Sequence, residues 1–132
     1  MGIVLVDYDP SKIGEKVITN AVSMLKESDT LIVLFVLPKA KEELDILPPD
    51  ITVSQAREMI NGIIGELKVK GIDALGIVRV GDIADEILRI AEEMNCTLIV
   101  LGDKLTKVER FALGNIADIV KKNAKVPVLV VK

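Results

Sequence analysis

Apolar residues in this chain gather into short unbroken runs, and between the runs they recur every three or four positions. The first pattern predicts strands covered on both faces, and the second predicts helices with one buried stripe. Ile3 to Val6 is the first run, closed by Asp7-Tyr8-Asp9-Pro10. Asp9 and Pro10 read as the N-cap and first residue of a helix reaching about Glu27, with Ile13, Val17, Ala21, Met24 and Leu25 on its buried face. Thr30 to Leu37, TLIVLFVL, reads as a central strand closed by Pro38. From Pro38 to Asp50 the charged run KAKEELD and the Pro48-Pro49 pair predict an irregular surface loop. A second helix begins at Thr52 or Ser54 and buries Ala56, Met59, Ile60, Ile63, Ile64 and Leu67. Gly62 and Gly65 weaken it by about 1 kcal/mol each relative to alanine, and the expectation is that they let the helix sit close to the sheet.

Asp73 to Val80 gives a third, weaker strand, and Asp82 caps a third helix that buries Ile83, Ile87, Leu88, Ala91 and Met94. Thr97 to Leu101 is the fourth strand, ending on Gly102. After a polar connection, Asn115 and Asp118 resemble the N-cap and acidic third position of a fourth helix, striped by Ile116, Ile119 and Val120. Val126 to Val131 is the fifth strand. Five apolar strands alternating with four helices predict an α/β fold, a doubly wound five-stranded parallel sheet with helices on two faces, forming a single domain over 1–132. In such sheets ligands bind beyond the carboxyl ends of the strands, where the winding reverses. If the first and fourth strands are neighbours there, Asp7 faces Gly102.

Composition narrows the chemistry. Only Tyr8, Phe35 and Phe111 are aromatic, so the core must be aliphatic. A net charge of −3 with both signs mixed argues against nucleic acid and anionic lipid as partners. Cys96 is the sole cysteine, which excludes an intrachain disulfide and a cysteine-rich zinc site and makes a reducing cytoplasm the expected location. The opening apolar run is too short for a signal peptide or a membrane span. With no histidine, the commonest general base and the commonest transition-metal ligand are both missing.

The stretch from Leu98 to Asp118 is where a phosphate could sit. A strand ending on glycine, the cations Lys104, Lys107 and Arg110, and a helix start at Asn115 would place exposed N–H groups and positive charge together. The competing account, which the balancing Asp103 and Glu109 favour, is an ordinary solvated loop. Were residues 106–113 helical, less loop would remain to wrap phosphates.

The chain resembles the universal stress protein family over all 132 residues, on IVLVDYDPS at the start, VGDIADEILRIAEEMNCTLIVLG in the middle and LGNIADIVKKNAKVPVLVVK at the end. The resemblance implies a Rossmann-like fold of the adenine nucleotide alpha hydrolase type, strand order 3-2-1-4-5, and a binding module that takes ATP or AMP in many members. It assigns to the cleft Asp7, Val36, Gly102, Asp103, Leu105, Gly114, Asn115 and Ile116, with magnesium only alongside a triphosphate, and no catalytic residue. It also implies a homodimer through the last strand, Val126 to Val131.

The family's phosphate pattern is glycine, two residues, glycine, nine residues, then glycine followed by serine or threonine. Gly102 matches its first position, but Leu105 replaces the second glycine, Gly114 arrives one residue early, and Asn115 stands where the hydroxyl belongs. A leucine side chain keeps the backbone away from an anion, and an amide cannot reproduce hydroxyl geometry toward phosphate or metal. The expectation is a nucleotide site with its phosphate grip weakened or lost. Asp7 would lie near the adenosine moiety, or would merely cap the turn into Pro10-Ser11. Alternatives are a family member acting through dimerisation and protein partners alone, a slow ATPase, and a phospho-receiver domain. The receiver reading fails because Val80, not an aspartate, ends the third strand.

Overall fold

The computed structural model describes residues 2–10, 12–38, 51–102 and 116–132. In chain order these form β1 (Ile3–Asp7), α1 (Lys12–Met24), β2 (Thr30–Leu37), α2 (Val53–Val69), β3 (Ala74–Val80), α3 (Ile83–Glu93), β4 (Leu98–Gly102), α4 (Ile116–Asn123) and β5 (Val128–Val131). All strand pairs are parallel, in the order β3-β2-β1-β4-β5. The apolar runs lack polar alternation because both sheet faces are covered. Val4, Val6, Leu31, Val33, Phe35 and Val100 pack under α1 and α2. Leu5, Ile32, Leu34, Val36, Ile99 and Leu101 pack under α3 and α4. The winding therefore reverses between β1 and β4.

The helix ends follow local chemistry. Thr52 and Gln55 form a reciprocal capping box at the start of α2, and Asp82 accepts from the Asp85 N–H at 2.9 Å to cap α3. At the amino edge of the sheet, the Asp29 carboxylate accepts from the backbone N–H groups of Gly2 and Lys26, and these bonds hold its pKa below the ordinary value. Asn95, at φ 53°, ends α3 in the left-handed region that asparagine tolerates.

Several boundaries and faces differ from expectation. The first helix starts at Lys12, with the Asp9 carbonyl lying against Gly14. It stops at Met24, where an i→i−3 bond from Leu25 to Val22 tightens the end, and Met24 is exposed. Ile119 is also exposed, since α4 packs through Ile116, Ala117 and Val120. Gly62 and Gly65 face open space, and the close helix-to-sheet approach instead uses Gly76 of β3, beneath Ile60 and Ile64. The last strand begins at Val128, two residues later than expected. Pro127 has no N–H to give, and its carbonyl accepts from Ile99. The expected loop at 38–50 falls, from residue 39 on, outside the described residues, as does the question of a helix at 106–113.

Candidate functional site

Strand register builds a recess at the winding reversal. Asp7 ends β1 level with Leu34, so β2 continues three residues further, through Phe35, Val36 and Leu37. On the other side Val6 is level with Val100, so β4 also runs past the end of β1, to Gly102. The end of β1 thus lies back between two longer-reaching strands, with Asp7 at the floor of the gap. Gly102 forms one wall, and a Cβ there would lie 2.9 Å from Ile13 Cγ1 and 3.3 Å from Val17 Cγ2. The missing side chain lets α1 close over the end of β4, a packing role beyond the close backbone approach expected from the loop pattern.

Of the predicted site residues, Asp7, Val36 and Gly102 come together at this edge. Val36 turns its side chain into the α3/α4 core and is buried, so its backbone is what it can offer a ligand. Ile116 opens α4 and is likewise buried. Asp103, Leu105, Gly114 and Asn115 lie outside the described residues, as do the loop cations Lys104, Lys107 and Arg110.

The turn after Asp7 is tightly held. The Tyr8 N–H donates to the Leu34 carbonyl at 2.7 Å, and its ring meets Phe35 edge-on with centroids 5.6 Å apart. Burial, then the neighbouring Glu15 and Asp9 carboxylates, push the Tyr8 phenol above its ordinary pKa.

Glu86 is a residue that sequence reasoning missed. It is the one buried charged residue among those described, with its side chain 8% exposed and Oε2 2.9 Å from the Arg89 guanidinium. An acid in the first turn of a helix gains about 0.3–1 kcal/mol from the helix dipole while remaining in water. Burying a carboxylate costs several kcal/mol, on the order of ten times the lower figure. The helix start therefore does not account for the burial. The available signal is spacing, since Glu86 falls among Ile83, Ile87 and Ile90 on the buried stripe.

Other features carry less chemistry. A cavity of about 90 Å³ lies at the opposite end of the sheet, lined by Leu88, Ala91, Ile99 and Val126 beside the loose Lys125–Glu92 pair at 3.8 Å. It is remote from the recess. Among the described residues no group of three His, Cys, Asp or Glu side chains could hold a metal, and no helix is long and apolar enough to cross a membrane. Cys96 is buried, and burial pushes its thiol up to about 11. Relative to the ordinary 9.0, such a rise leaves about a hundredth of the usual thiolate at neutral pH. Alkylation of the native protein at pH 8 should accordingly be slow and become fast in denaturant; rapid native labelling would contradict the burial.

Comparison with known proteins agrees with this geometry. The family model described as the universal stress protein family matches residues 1–132. Universal stress protein G of Shigella flexneri is 25% identical over 137 residues, covering 98% of this chain and 96% of the relative. Universal stress protein MJ0577 of Methanocaldococcus jannaschii is 31% identical over 97 residues, 73% of this chain and 60% of that protein. A solved structure of MJ0577 superposes with a TM-score of 0.78 at 24% identity, covering 98% of this chain and 94% of that one. A universal stress protein from Archaeoglobus fulgidus, solved in complex with dAMP, gives 0.72 at 23% identity, covering 100% and 98%. With the family model matched end to end and strand order β3-β2-β1-β4-β5 in place, the chain belongs to the universal stress protein family.

Proposed function

We propose that this chain is a cytoplasmic, homodimeric, single-domain regulatory module that binds an adenine nucleotide in the recess bounded by Asp7, Val36 and Gly102, and that it has no dedicated catalytic residues. The observation carrying the reading is the recessed end of β1 at the winding reversal, with an acidic residue on its floor and a glycine on its wall. Solved family members in complex with dAMP and with cAMP, and one from Arabidopsis thaliana with AMP bound, support it. Leu105, Asn115 and the shortened spacing to Gly114 weaken the grip on a triphosphate tail, so the nucleoside end dominates affinity and a monophosphate suffices. Magnesium enters only with a triphosphate.

Isothermal titration with AMP and ATP tests this. AMP should bind, ATP with magnesium should gain little over it, and Asp7→Ala should weaken AMP by about tenfold or more, the worth of a charge-assisted hydrogen bond. Absence of heat at millimolar nucleotide would sink the proposal. Slow ATP turnover needs a positioned water and metal, and phosphate release above background would reopen that reading.

A second reading, action through dimerisation alone, is favoured by β5. Val128, Leu129 and Val130 stay half-buried on a strand that, among the described residues, pairs only with β4, and an apolar edge of this kind invites a second copy.

A further inference from the structure

We infer that β3 is an interface for a second copy of this chain, the two strands pairing antiparallel about a twofold axis at Gly76. This goes beyond the reading above, since it concerns the edge of the sheet opposite β5 and does not depend on a nucleotide. Among the described residues β3 pairs only with β2. Its seven residues include no proline and no lysine, the usual devices that keep an edge from pairing. The Leu31 N–H donates to the Asp73 carbonyl and the Gly81 N–H to the Leu37 carbonyl, so the odd-numbered residues along β3 turn their backbone groups toward β2. By alternation Ala74, Gly76 and Val78 turn theirs to the open edge. Those three can bond a second β3, Gly76 to Gly76 and Ala74 to Val78.

Side chains select that register. Ile77 packs against the α3/α4 core, which places Asp73, Leu75 and Arg79 on the same face of the strand. There α3 lies over β2, leaving Leu75 44% exposed and Arg79 exposed. With Gly76 opposite Gly76, Leu75 of each copy meets Ile77 of the other and Asp73 meets Arg79, all in non-hydrogen-bonded pairs, whose Cα atoms approach to about 4.5 Å. The sequence of this face, Asp-Leu-Ile-Arg, is thus its own antiparallel complement. Thr30 Oγ1 donates to Asp73 Oδ2 at 2.7 Å and holds that carboxylate in place, and among the described residues Arg79 makes no ion pair. A register two residues away sets Arg79 opposite Leu75 or Gly71 and leaves both charges unmatched.

Sedimentation equilibrium of the wild type, Arg79→Asp and Asp73→Arg tests the interface. Wild type should self-associate. Each single reversal sets like charges opposite one another at both ends of the pairing, so it should weaken association by about a hundredfold and halve the mass. In a mixture of the two variants the mixed dimer regains both opposite-charge pairs, and the wild-type mass should return. Where β5 pairs as well, the reversals should bring a larger assembly down to a dimer, with the same recovery on mixing. Both substituted side chains are exposed, and circular dichroism checks that the variants keep the fold. Leu75→Lys, at another exposed position, should lose association in the same way. A dimer whose mass neither reversal changes assigns the second copy to β5 and overturns the inference, as does a mixture that stays small. A monomeric wild type overturns it together with the homodimer proposed above.

Discussion

Gly14→Ala should cost about 3 kcal/mol of stability, the upper end for overpacking, and should also displace the turn that carries Asp7. A Cβ at residue 14 would lie 1.7 Å from the Asp9 carbonyl oxygen and 2.9 Å from its carbon, with Tyr8 Cε1 at 3.2 Å. The first two are backbone atoms, so no change of rotamer relieves the overlap. Either the first turn of α1 unwinds or the segment from Asp7 to Pro10 moves away. Ordinary helix propensity predicts the opposite sign, because alanine inside a helix is worth up to about 1 kcal/mol over glycine. Here the overlap outweighs propensity. For a chain of this size the loss corresponds to a fall of roughly 10 °C in Tm. Denaturant unfolding reads the first effect, and AMP titration well below the variant's Tm reads the second as weakened binding. A variant as stable as wild type would show that the turn does not approach the helix as described.

The same turn shows where sequence and structure part. Asp9 and Pro10 carry a correct signal for a helix start nearby, yet the helix begins at Lys12, and the close approach of the Asp9 carbonyl to Gly14 is a local geometry that capping rules do not contain. The strands are legible because both faces of the sheet are covered, so a run such as TLIVLFVL needs no polar alternation and can be little else. Their order is not legible from periodicity. Nothing in the apolar runs says that β4 returns beside β1, and that step comes from the family resemblance. Asp7 and Gly102 can be read as strand ends because the residue closing an apolar run is recognisable from the run itself. The burial of Glu86 cannot be read in this way, since an acid in a first helical turn already has a sufficient explanation until its exposure is known. Met24 and Ile119 are misplaced for a related reason. A helical stripe fixes the direction of burial to within a flank, and the neighbouring elements decide how wide the covered face is.

Glycines give the second contrast, because three of them separate propensity from packing within one helix-on-sheet contact. Gly76 lies on β3 beneath α2, where a Cβ would stand 2.3 Å from Ile60 Cγ2 and 3.1 Å from Ile64 Cγ1. Ile60 is buried in the core and cannot swing out, so Gly76→Ala should push α2 off the sheet and destabilise by about 1–3 kcal/mol. Gly62 and Gly65 sit on the opposite side of the same helix, where an added Cβ would meet nothing within 4 Å. Neither has a positive φ. Their replacement by alanine only restricts the unfolded chain and improves helix propensity, so each should stabilise by about 0.4–1 kcal/mol. The two exposed sites are i,i+3 neighbours on one helix, about 5–6 Å apart and close enough to couple, so the double variant should be more stable than either single one without being their exact sum. Urea unfolding of the three single variants and the double checks all four signs together. Loss of stability at Gly62 or Gly65 would mean that the outer face of α2 is covered in solution, and a neutral Gly76→Ala would mean that α2 stands further from the sheet than its contacts indicate.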